Sequence, residues 1–115
     1  MIEVKHDIKE GFSTQFTFEG WKVAYITYSS QYDEMKIVKR HNLSDEVFLL
    51  LKGSASLFTC DRQIPDNFIE TNLEKEKMYN VTKGTWHHLK VSKDALLTVV
   101  ENSNTTKDNT DVFEL

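Results

Sequence analysis

His41 and Glu46 stand on either side of a polar turn, Asn42-Leu43-Ser44-Asp45, just before the most apolar stretch of the chain. If the turn closes a hairpin, the two residues are cross-strand partners on one face, with Cβ atoms about 5 Å apart. The next pair on that face is Lys39 with Phe48. The spacing thus brings an imidazole and a carboxylate together beside an ammonium and a ring. An imidazole changes charge near neutral pH, so proton transfer is the chemistry such a group offers.

A second stretch, "YNVTKGTWHHL", runs from Tyr79 to Leu89. Lys83-Gly84 makes a turn. After it, His87, Leu89 and Val91 share one face, and Trp86, His88 and Lys90 share the other. The first face is apolar beyond His87, so His87 is expected to point inward and His88 outward to the surface.

These groups must be held by strands. "WKVAYITYS", "EMKIVKRH", "EVFLLLK", "SASLFTC", "WHHLKVS" and "ALLTVVE" are rich in β-branched and aromatic residues or alternate with period two, while "NFIETNL" and "KMYNVT" are weaker strands. The segment before Trp21 adds at most an edge strand. "EVFLLLK" and "SASLFTC", joined at Lys52-Gly53, read as a hairpin. About eight short strands without a helical period imply an all-β sandwich or barrel. Tyr25 lines the interior if the odd-numbered face of its strand is inward. Met35 and Ile37 read as core, which makes Lys39 on the same face costly without a partner or an anionic ligand. Residues 102–110 read as a loose polar segment.

The chain has 115 residues, enough for one domain, 1–115, with a real core. Its net charge of −4, with basic residues scattered, argues against a nucleic-acid partner. The N-terminus carries charges throughout, so no signal peptide is expected, and Val47–Leu51 is too short to cross a membrane. A cytoplasmic location follows as the expectation. The single cysteine, Cys60, reads as inert. Val47–Leu51 is apolar on both faces, which implies a second covering layer or a homodimer.

The chain resembles a small single-domain cupin of the RmlC-like jelly-roll type, over roughly Lys22 to Asn102. The first cupin motif is H-x-H, three or four residues, E, six residues, G. Lys39-Arg40-His41, four residues, Glu46, six residues and Gly53 follow that frame. The second, P-x-G-x-x-H, is followed by Thr82-Lys83-Gly84-Thr85-Trp86-His87 with Thr for Pro. The resemblance implies a double-stranded β-helix, a jelly-roll barrel with its site inside. It also implies a ligand set of His41, Glu46 and His87 for one divalent metal: Zn, Mn, Fe or Ni. Lys39 replaces the first His of the motif, and Val91 stands where the family carries a later Asn.

Two readings of Lys39 stay open. In one, it borders a metal. In the other, it replaces the metal, pairs with Glu46 and leaves both histidines as acid–base groups. As an enzyme, the protein would be an isomerase or lyase acting beside a carbonyl, with His41 or His87 as base and Lys39 or a metal holding the oxyanion. As a non-catalytic module, it would bind a sugar-like or carboxylate molecule, with Lys39, Phe48, Tyr25 and Trp86 as contacts. A structural protein without a ligand is the third reading.

Overall fold

Successive side chains of a strand point to opposite faces, and burial alternates accordingly along β-strands such as Glu46–Lys52 and Leu96–Asn102. The computed structural model covers residues 1–115 and is all-β. Its strands are β1 (Phe12–Phe18), β2 (Trp21–Thr27), β3 (Ile37–His41), β4 (Glu46–Lys52), β5 (Ala55–Cys60), β6 (Ile69–Asn72), β7 (Met78–Val81), β8 (Trp86–Val91), β9 (Leu96–Asn102) and β10 (Thr110–Glu114). They form two antiparallel five-stranded sheets, ordered β1-β2-β9-β4-β7 and β10-β3-β8-β5-β6. No helix is long and apolar enough to cross a membrane.

The core lies between the sheets. Ile26, Phe48, Leu50, Leu57, Leu89, Leu97 and Val99 are buried there in one cluster, and removing such apolar area from water is the main stabilising term. Three buried residues, Val38, Cys60 and Trp86, make a smaller cluster on the outer face of the second sheet, with Met35 and Phe68 packed on it. Met35 therefore belongs to that outer cluster. Ile37, also expected in the core, is exposed.

Two expected hairpins are absent. β3 and β4 lie in different sheets, as do β4 and β5. The turns at 42–45 and 53–54 carry the chain across the barrel rather than back along one sheet. His41 and Glu46 are therefore not cross-strand partners, and neither are Lys39 and Phe48. Glu46 sits beside Glu101 and Val81, and Phe48 beside Val99 and Tyr79. The crossing at Gly53 is tight: its φ is +76°, and a Cβ there would lie 2.7 Å from Ala95 Cα.

The polar segment 102–110 carries side-chain hydrogen bonds and a 3-10 turn. Asn102 Nδ2 donates to the Leu43 carbonyl, a capping box closes the 3-10 turn Lys107–Asn109, and β10 then pairs with β3 along its length. Polar composition hid these side-chain bonds. At the other end, β1 is an edge strand, and the segment before it is tied to the outer face by Asp7 N–H to Gln15 Oε1 and Lys9 N–H to Ser13 Oγ. On that face Val47 and Leu49 are half-buried and Leu51 is exposed.

Candidate metal centre

β3 and β8 deliver the imidazoles of His41 and His87 from one sheet, and β4 delivers Glu46 from the other. His41 Nε2 lies 3.6 Å from Glu46 Oε1, and His87 Nε2 lies 3.2 Å from the same oxygen. The donor atoms of the three residues lie within 4.8 Å of one another.

The far nitrogen of each ring fixes its tautomer. Thr85 offers a backbone carbonyl at 3.0 Å from His87 Nδ1, so that nitrogen must donate. Thr110 Oγ1 gives its only proton to the Thr106 carbonyl and so accepts from His41 Nδ1 at 2.9 Å. When neutral, both rings therefore turn an Nε2 lone pair toward a carboxylate oxygen. Three lone-pair donors facing one another are resolved by an imidazolium proton or by a cation. Ring nitrogens held from behind in this way are the arrangement that supports a metal-ligating histidine. The donor set therefore fits a divalent metal.

The surrounding charges follow the same logic. Burial pushes the Glu46 pKa up, but the hydrogen bond and charge of His87, with the charge of His41, outweigh it and hold Glu46 below its usual value. Burial also works against a charged His87, but the Glu46 bond and charge win and raise its pKa. His41 moves the other way: burial dominates, Glu46 opposes it only partly, and its pKa is lowered.

Glu101, on the inner face of β9, is the neighbour of Glu46 across the strands. Burial first, then the charge of Glu46, push it up to about 7, against Lys22. Lys22 Nζ holds Glu101 Oε1 at 3.2 Å. Tyr32, from the turn Ser30–Tyr32, faces the same space, and burial, then the charges of Glu46 and Glu101, push its phenol up to about 12. Sequence reasoning missed Glu101, Lys22 and Tyr32. The first two were findable, because Leu97, Val99 and Glu101 alternate on β9, as Lys22, Ala24 and Ile26 do on β2.

The triad opens into a cavity of about 580 Å³, lined also by Phe48, Lys39 and the segment Thr105–Thr110. Lys39 is exposed there and forms no salt bridge, so it neither pairs with Glu46 nor bears the burial cost expected of it. Two expected ligand contacts lie elsewhere. Tyr25 is on the outer face of β2, edge-on to His6 with ring centroids 6.0 Å apart. Trp86 is buried in the outer cluster, with the Arg40 guanidinium 4.5 Å above its ring. One residue of strand separates each from an inward neighbour, and alternation turns both away. His88 does face outward, but it is buried, with Nε2 donating to the Asp33 carbonyl at 2.9 Å. The turn before β3 covers it.

Among solved structures, an RmlC-like cupin family protein from Methanocaldococcus jannaschii with a double-stranded β-helix fold aligns with a TM-score of 0.61 at 16% identity, over 87% of this chain and 86% of that one. This chain has the cupin fold. A cupin-2 domain protein from Shewanella frigidimarina aligns at a TM-score of 0.59 and 18% identity, over 83% of this chain and 84% of that one. A TDP-quinovose 3,4-ketoisomerase from Campylobacter jejuni aligns at 0.61 and 19%, over 76% of this chain and 66% of that one. No family model matches the sequence, and no curated protein does. At these identities the likeness carries the cupin fold and leaves the reaction to be argued from the site.

Proposed function

We propose that this cupin holds one divalent metal, Zn, Mn, Fe or Ni, on His41, Glu46 and His87, and acts as an isomerase or lyase on a small polar molecule in the barrel. The convergence of two Nε2 lone pairs on Glu46 Oε1 supports this reading. A bound divalent cation supplies Lewis-acid stabilisation of charge developing on a carbonyl oxygen. The chain's own groups do the rest. Thr85 and Thr110 hold the rings in register. Glu101 and Tyr32 line the cavity as groups able to pass a proton to a ligand. Lys39 stands beside them as a positive charge for an oxyanion. The ketoisomerase among the structural neighbours makes carbonyl chemistry a natural first assay.

Elemental analysis of untagged protein tests the metal. Wild type is expected to carry a stoichiometric divalent ion and His41→Ala almost none. Equal contents in the two would overturn the reading. The 3.2 Å His87–Glu46 contact favours one alternative, an imidazolium–carboxylate pair working without metal. That alternative is upheld if the protein is metal-free yet exchanges α-protons of small carbonyl compounds with deuterated solvent. Binding without exchange supports a non-catalytic module.

We further propose a homodimer through the outer face of β4, where the exposed Leu51 adjoins half-buried Val47 and Leu49. A second copy would cover the apolar side of this strand that the barrel leaves open.

A further inference from the structure

The cavity sets the polar triad beside an apolar wall, with Gln31 and Thr105–Thr110 also in its lining. Phe12, Ile37 and Val112 are 37%, 41% and 56% exposed, and all three line it. They come from three strands and both sheets, so the apolar rim is built by the fold rather than by one loop. Deeper, Ile26, Phe48 and Leu89 continue the same wall. Hydroxyls of a ligand laid against Phe12, Ile37 and Val112 would stay unpaired, and an unpaired polar group is costly once desolvated.

The cations in this wall are the second observation. Lys39 lies on the inner face of β3, directly between His87 on β8 and Val112 on β10. Its side chain is therefore one strand spacing from the triad on one side and from the apolar rim on the other. Lys107, also in the wall, forms no salt bridge either. In a chain of net charge −4, the carboxylates at the triad are already committed: Glu46 to the imidazoles and Glu101 to Lys22. The ammonium groups at the rim thus have no internal anion to neutralise.

We propose that the cavity takes a small organic oxyanion, a carboxylate or phosphate head on an apolar body. Lys39 holds the head next to the triad, and the body lies against Phe12, Ile37 and Val112. The volume of about 580 Å³ is in the range of small-molecule sites. This names the substrate class for the site proposed above and rests on that cavity being the binding site, but not on a metal being present.

Titration of the chelator-treated full-length protein, followed by NMR chemical shifts, tests it with four probes: phenylacetate, phenyl phosphate, phenylacetamide and gluconate. At least one of the two aromatic anions is expected to bind about tenfold more tightly than the neutral amide, the scale of one charge-assisted hydrogen bond. Gluconate is expected to bind more weakly than that anion. Lys39→Met abolishes the preference over the amide, Lys39→Arg restores it, and Val112→Ser weakens anion and amide alike. Lys39 is exposed, so these variants leave the barrel intact. Equal binding of acid and amide, tighter binding of gluconate, a preference that survives Lys39→Met, or no binding of any probe would each overturn the proposal. Repeating the titration after zinc addition separates the two readings. Anion preference without stoichiometric metal sinks only the metal role, and stoichiometric metal without anion preference sinks only this inference.

Discussion

His87 Nε2 and Glu46 Oε1 are 3.2 Å apart although β8 and β4 belong to different sheets. The contact spans the barrel interior, so its geometry is set by how the two sheets pack rather than by any single hairpin. The core cluster beneath it, with Phe48, Leu89 and Val99, sets that packing. Anything that shifts one sheet against the other moves the candidate ligands apart.

The Thr110 hydroxyl should matter to metal affinity although it would touch no metal. Thr110→Val removes the acceptor for His41 Nδ1–H. Removing an outer-shell partner of this kind typically costs about 10–100-fold in affinity. Competition with a chromophoric chelator would measure it, and Thr110→Ser should recover most of the loss.

Glu101 gives a pH signature in the chelator-treated protein. Its folded pKa of about 7 lies above the ordinary carboxylate value of 4.5. Between these pH values the folded state keeps a proton that the unfolded chain has released, so this group's contribution to stability falls as pH rises. Glu101→Gln stays neutral throughout. The stability of wild type minus that of the variant should therefore decrease from about pH 4.5 to about pH 7 and level off above it. Urea unfolding at a series of pH values reads this difference, and a flat difference contradicts the assignment.

Gly53→Ala should destabilise the fold strongly. The added Cβ meets Ala95 Cα and Ser92 Oγ, both at 2.7 Å, at a φ of +76°. Left-handed strain alone costs about 1–3 kcal/mol, and the backbone clash adds to it. Thermal unfolding should show a clear drop in Tm. Gly84→Ala, with φ +81° but open space around its Cβ, should cost less.

Trp86 should be a stability residue and not a ligand contact. Trp86→Ala is expected to cost about 3–5 kcal/mol, the range for emptying a buried aromatic site. Trp86→Phe should cost much less, because the buried Nε1 has no partner to lose. Phenylacetate affinity should be unchanged in Trp86→Phe.

Leu51→Glu places a charge on the exposed apolar side of β4. If that side is the dimer interface, light scattering should show a dimer for wild type and a monomer for the variant.

Period two made the facing of side chains legible. It is why His87, Leu89 and Val91 point inward and Trp86 outward, as their order in the sequence implies. It does not say which strand lies next to which. His41 and Glu46 meet in the barrel as expected, but across it, because their turn changes sheets instead of folding back. The same gap hid Glu101: its face was readable, but its position beside Glu46 depends on β9 pairing with β4 over a long separation. Thr110 and Lys107 were illegible for another reason. Their segment is ordered by side-chain bonds and by β10 docking, which leave no hydrophobic pattern.

The bond from His41 to Thr110 joins residues 69 positions apart, and its acceptor sits on an edge strand of five residues. Edge strands detach more readily than central ones. Each time β10 peels away, the imidazole of His41 is released to rotate and swap its proton between nitrogens. Capture and escape of a bound ion would then keep time with the breathing of this edge strand.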